Sequence, residues 1–123
     1  MQSILKNQLK MAQKLNRNSD AILNIKVVDK DGNPFRVRDV NVFSIKLFTT
    51  DPAVNIECIY LDSVYTGIIE GETADSLILN SSDINKLEQG ILKYIYHIQV
   101  NNEVFNDGIY NEVIEGSTNI YLL

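Results

Sequence analysis

The stretch "ILKYIYHIQV", residues 91–100, decides the fold. Leu92, Tyr94, Tyr96, Ile98 and Val100 alternate with Lys93, His97 and Gln99. A period of two puts the first set on one face of a β-strand and the second on the other. Downstream, "NN" at 101–102 matches a two-residue hairpin turn leading into "EVFND" (103–107). "GIYNEVIEG" (108–116) and "STNIYLL" (117–123) read as the closing strands. Upstream, "SSDINKLEQG" (81–90) reads as a short helical turn capped by Ser82 or Asp83 and stopped by Gly90.

The same period recurs further from the centre. "AILNIKVVD" (21–29) sets Leu23, Ile25 and Val27 against Asn24 and Lys26. "NVFSIKLFTT" (41–50) sets Phe43, Ile45 and Leu47 against Ser44 and Lys46. "NIECIYLD" (55–62), "SVYTGIIE" (63–70) and "DSLILN" (75–80) are further strands, with turn signals at "DGNP" (31–34), "TTDPA" (49–53) and the acidic loop "EGETAD" (70–75). About seven or eight short strands at this spacing predict an Ig-like antiparallel β-sandwich over 20–123. No internal repeat is present.

The opening segment breaks the period. In "MQSILKNQLKMAQKLNRNSD", Ile4, Leu5, Leu9, Met11, Ala12 and Leu15 fall on one side of a helix. Lys6, Lys10, Lys14 and Arg17 fall on the other, and Ser3 is in place to cap it. A helix of about 14 residues is marginal alone in water, so its apolar side needs a surface. That surface can be its own domain, a partner or second copy, or a membrane. The segment lacks the aromatic anchors of a membrane helix, and the polar "NRNSD" reads as a linker. Residues 1–19 are therefore expected to be an anchoring and oligomerisation arm. Its partner-binding residues are Ile4, Leu5, Leu9, Ala12 and Leu15, with Lys6, Lys10 and Lys14 steering.

Composition narrows the function. The chain has 123 residues, 45% hydrophobic and 22% charged, the balance of one ordinary globular domain. Its formal net charge of −5 is uneven: the four basic side chains of residues 1–19 face no acid, and all 16 acids follow. An acidic body is poorly suited to nucleic acid. No apolar run reaches the roughly 18 residues of a membrane span, and lysines interrupt any signal-peptide core.

Motifs for chemistry are sparse. The single cysteine, Cys58, lies in an apolar run and reads as a buried inert thiol. His97 is the only histidine and has no metal-ligand companion at a useful spacing. "DKDGN" (29–33) has its glycine fourth rather than sixth, so it reads as a turn and not a calcium loop. Glu70, Glu72 and Asp75 read as solvated loop charge. No G-x-S-x-G or phosphate loop is present. The expectation is no catalysis, no cofactor and no metal.

Several of these stretches resemble a known family. "VVDKDGNPF" (27–35) followed by "FSIKLFTT" (43–50) resembles the opening hairpin of Ig-like adaptor domains on phage virions, as in baseplate upper proteins. "LEQGILKYIYHI" (87–98) fits the same pattern of a turn feeding an alternating strand. "FNDGIYNEVIEGSTNIYLL" (105–123) is similar to the tails of small structural proteins in phages and prophages of Bacteroidetes, including head-fibre and appendage proteins of the crAss-like phages. The resemblance covers roughly residues 20–123. It implies a virion structural protein, made in the bacterial host cytoplasm, that attaches to other virion proteins and forms a homo-oligomer, a dimer or trimer. The charge balance and the lack of aromatic anchors add the expectation of no nucleic-acid or membrane partner. Such adaptors continue into a fibre or a carbohydrate-binding head, whereas this chain is expected to be the whole component. The alternative is a soluble carbohydrate- or protein-binding module for host-surface recognition, with Tyr65 and Tyr110 the best exposed aromatics.

Overall fold

The computed structural model describes residues 13–123 in full and residues 3–5 as backbone. The chain is mainly β, with strands β1 (Ser3–Leu5), β2 (Gln13–Leu15), β3 (Ala21–Val28), β4 (Pro34–Phe35), β5 (Val42–Phe48) and β6 (Ile56–Leu61). They are followed by β7 (Val64–Thr66), β8 (Ile68–Glu70), β9 (Asp75–Leu79), β10 (Gly90–Asn101) and β11 (Ile109–Leu122). A 3-10 turn (Val37–Asp39) and a short helix, α1 (Ser81–Ile84), are the only helical pieces among the described residues.

The strands form two sheets. One runs β1-β3-β9-β8, with β4 also on β3, and the other runs β2-β11-β10-β5-β6-β7. Every neighbouring pair is antiparallel except β11 with β2. The inward faces meet in one core: Leu23, Ile25, Leu77 and Leu79 from the first sheet, Phe43, Ile45, Leu47, Leu92, Tyr96 and Ile98 from the second. Each large side chain shut away contributes about 1.5–3 kcal/mol before ordering costs. The Tyr96 hydroxyl donates to the Val28 carbonyl at 3.2 Å and so ties one sheet to the other. The alternation of residues 91–100 is thus the alternation of a central strand with one face in the core.

The opening segment differs from expectation. Ser3–Leu5 and Gln13–Leu15 are strands, not turns of an amphipathic helix. Ile4 pairs with Lys26 and Leu5 with Ile25 in the ladder of β1 on β3, while Lys14 pairs with Tyr121 and Leu15 with Leu122 in the parallel ladder of β2 on β11. Lys6, Leu9, Lys10 and Ala12 lie outside the described residues. The physical reason is competition: a short helix is marginal by itself, whereas each ladder satisfies main-chain groups of a sheet edge.

"NRNSD" is no free linker either. The Arg17 guanidinium donates to the carbonyls of Leu123 at 2.8 Å and Leu87 at 3.0 Å. The Leu123 amide donates to the Leu15 carbonyl at 2.9 Å, and Asp20 accepts the Ser81 amide at 2.6 Å. Asn85 donates to the Asn18 side chain. Asp20 therefore takes the first amide of α1, whose N-cap position is Asn80 rather than the expected Ser82 or Asp83.

Three strand boundaries also move, giving eleven strands among the described residues where seven or eight were expected. "SVYTGIIE" is two strands in different sheets, because Gly67 between them has φ +73° and passes the chain across. A Cβ at Gly67 would lie 2.9 Å from the Cys58 sulfur, so glycine is also required by contact. Conversely, "GIYNEVIEG" and "STNIYLL" are one strand. Gly116 does not break it but makes room for the Tyr94 ring, whose hydroxyl would sit 2.4 Å from an added Cβ. The β10–β11 turn is the longer loop 102–108 rather than "NN" with a strand at "EVFND". Asn102 and Asp107 accept the amides of Val104 and Ile109 at 3.0 Å each, local bonds that turn the backbone away from a ladder.

Candidate binding site at the loop end

One end of the sandwich gathers the β3–β5 connection (29–41), the β6–β7 turn (62–63) and the β10–β11 loop (102–108). The first of these is long and has to be held in place. "DKDGN" closes it at the start: Asp29 Oδ1 accepts the amides of Asp31 and Asn33 at 2.9 Å, a turn as the sequence predicts. Val37 then plugs the core, fully buried. Beside it, Arg36 reaches back to Asp75, with Nη2 to Oδ1 at 2.7 Å and Nε to Oδ2 at 3.1 Å. Asp75 Oδ2 also accepts the Val37 amide at 2.9 Å, and Arg36 Nη2 donates to the Gly71 carbonyl at 2.7 Å.

This corrects the reading of the 70–75 acids as solvated charge. Asp75 is only 3% exposed, and its partner is a residue 39 positions away that local sequence could not supply. Glu70 accepts from Arg38 at 2.8 Å and from the Tyr65 hydroxyl. The Tyr65 hydrogen bond, then Arg38, hold the Glu70 carboxyl below its ordinary range. Burial, followed by that carboxylate, pushes the Tyr65 phenol up to about 12. Glu72 is exposed.

Two cavities open at this end. The larger, about 610 Å³, is polar: Arg38, Asp39, Asn41, Asp62, Ser63, Gln99 and Asn101 line it with Tyr60. Its rim carries backbone strain. Asp62 and Ser63 have φ of 51° and 64°, the mirror-image hairpin turn that Asn-Gly adopts without penalty. Strain of this kind on non-glycine residues gathers at functional sites. The smaller, about 250 Å³, lies between Phe35, Val40, Ile98, Val100 and Tyr110, with Asp29, Asp39, Asn102 and Glu112 around it. Tyr110 is half-buried, not the exposed platform expected, and its hydroxyl donates to Glu112 Oε2 at 3.0 Å. Tyr65 is likewise half-buried, its ring 4.8 Å from that of Tyr60. The sequence singled out none of Asp39, Asp62, Ser63 and Glu112. The one available signal was Glu112 at an inward position of an alternating strand.

Reactive groups elsewhere offer little. The Cys58 thiol is pushed up to about 11, first by burial and then by Glu57 and Asp83. A neutral thiol sealed under Gly67 is a poor nucleophile. His97 is bonded to Asn111 at 2.9 Å on the outer face of β10. Among the described residues no three His, Cys, Asp or Glu side chains are grouped to hold a metal, and no helix is long and apolar enough to cross a membrane. The expected partner-binding residues are dispersed: Leu15 packs against the core, Lys14 faces solvent, and Ile4 and Leu5 belong to β1. No family model, curated protein or solved structure matches the chain.

Proposed function

We propose that this chain is a non-catalytic Ig-like subunit of a phage virion, a head-fibre or appendage component that attaches to other virion proteins and to copies of itself. The strand order carries the reading. A variable-type Ig sandwich has strands A, B, E and D in one sheet and G, F, C, C′ and C″ in the other. With β1 as A, β3 as B, β9 as E and β8 as D, the first sheet follows that order. With β11, β10, β5, β6 and β7 as G, F, C, C′ and C″, so does the second. The virion context comes from the turn-and-strand resemblance of residues 20–123. In this arrangement the loop end is the attachment face.

Self-association is assigned to β11. From Ile109 to Ser117 it pairs with β10 alone among the described residues, and a long open edge is a template for another strand. An antiparallel copy centred on Val113, which is 63% exposed, would pair Val113 with itself and Asn111 with Glu115, without like charges opposed. Sedimentation of the full chain should give a dimer that Val113→Lys converts to a folded monomer. A wild-type monomer at high concentration, or a dimer indifferent to Val113→Lys, removes this edge from the account. Virion attachment is tested by whether the tagged chain copurifies with phage particles from an infected Bacteroidetes host.

A further inference from the structure

The larger cavity is lined by side chains that the fold leaves half used. Asn41 Oδ1 accepts the Asn101 amide at 2.8 Å, and Gln99 Nε2 donates to Asn111 at 2.9 Å. Arg38 Nη1 is held by Glu70. The Asn41 amide group, the Gln99 carbonyl and the Asn101, Asp62 and Ser63 side chains have no hydrogen-bond partner among the described residues. Most of these groups stand in water, so they alone do not make a site. Tyr60 is different. It is 8% exposed and belongs to the wall of the cavity, yet its hydroxyl has no hydrogen-bond partner and is not closed off from solvent. Buried tyrosines ordinarily find a partner for that hydroxyl, and here it is left for whatever fills the cavity.

A second observation lies at the mouth. Val42, part of the wall, pairs with Leu61, which pairs with Val64. All three sit on the outward face of their sheet, where alternation calls for polar residues, and Leu61 and Val64 are 47% and 62% exposed. An apolar shelf across three strands therefore runs on from a polar cavity. The wall selects the ligand by its chemistry. Asp39 and Asp62 oppose an anion, and Arg38, the basic residue of the wall, is already paired with Glu70. What fits is a neutral ligand that both donates to and accepts from amides and hydroxyls. Hydroxyl groups do both, and a sugar ring adds C–H faces that suit the shelf. At about 610 Å³ the space falls within the roughly 300–1,000 Å³ of small-molecule sites. We propose that this cavity binds a neutral oligosaccharide, with Tyr60, Asn41 and Asn101 hydrogen-bonded to one ring and the next ring laid on Val42, Leu61 and Val64. The site does not rest on the virion reading: particle attachment and sugar binding can each fail without the other.

The test is nuclear magnetic resonance of the isotope-labelled full chain titrated with lactose, maltose, cellobiose and diacetylchitobiose. At least one of these disaccharides should give saturable shifts at the Ser63, Asn101 and Ile109 amides, with millimolar affinity that added salt leaves unchanged. A phosphate ester of the same sugar should bind at least threefold more weakly. Tyr60→Phe keeps the ring and removes the hydroxyl, and it should weaken binding at least threefold while the spectrum stays folded. Asn101→Ala should do the same. Asp62→Asn with Ser63→Gly relaxes the strained turn at the rim, so it should raise the thermal unfolding midpoint and weaken the sugar at least threefold. No saturable shift with any of the disaccharides, shifts that map elsewhere, or tighter binding of the phosphate ester would each overturn the site. So would binding that is indifferent to both Tyr60→Phe and Asn101→Ala.

Discussion

The two ends of this sandwich are finished in opposite ways. At one, Arg17, Asn18 and Asp20 bind residues 13–20 to Leu123, Leu87, Asn85 and the start of α1, and a cavity there is about 110 Å³. At the other, a long connection, a strained turn and a loop surround cavities of about 610 and 250 Å³. The closed end spends its polar groups on its own backbone carbonyls and amides. The open end leaves a buried carboxylate oxygen unsatisfied and holds non-glycine residues at positive φ. That contrast is what supports the proposal of the loop end as an attachment face. Of the opening segment, read as a detachable arm, residues 13–20 belong to the closed end, whereas Ser3–Leu5 pairs with Ile25–Val27 on the other sheet.

The largest expected effect breaks the open end. Asp75→Ala would leave the Arg36 guanidinium against a buried wall and release the Val37 amide. It should cost about 3–5 kcal/mol in urea unfolding, as removal of one partner of a buried pair does. A loss below about 1 kcal/mol would mean the 29–41 connection is held by Val37 burial alone. Arg17→Met comes next and loosens the closed end. Two carbonyls lose a charged donor while the apolar stem is kept, so about 1.5–3 kcal/mol is expected by the same measurement. If Arg17→Met costs nothing, the difference between the ends is not one of fastening.

The smallest effect is electrostatic. Glu70 has a folded pKa below its unfolded value, chiefly through the Tyr65 hydroxyl. Its contribution is therefore present above the ordinary carboxylate range and is lost as pH falls through the folded value. Tyr65→Phe should move the Glu70 carboxyl titration upward, followed by carbon resonance against pH, with little change in unfolding at neutral pH. A titration that does not move would leave Arg38 as the controlling partner.

The sandwich was legible because its strands carry a period of two with one apolar face. Leu23, Ile25, Phe43, Ile45, Leu47, Leu92, Tyr96 and Ile98 were placed by alternation alone, and all are core. What escaped depends on distant partners. Lys14 and Leu15 obey a helical pattern until the edge of β11 is offered to them. Glycine is ambiguous in sequence: Gly67 ends a strand by its φ, while Gly116 continues one by making room for a ring. The candidate site was least legible. Asp75 and Arg36 are 39 residues apart, and the cavities exist only where three separate connections meet.

Residues 13–20 seal the closed end while the opposite loops stay open. Native-state amide hydrogen exchange tests it at one atom, the Leu123 amide that donates to the Leu15 carbonyl at 2.9 Å. This amide, though at the last residue, should exchange at least about a hundredfold more slowly than the amides of the 102–108 loop. Arg17→Met should abolish the difference. Exchange at Leu123 as fast as in that loop in the unaltered chain would contradict the seal by residues 13–20.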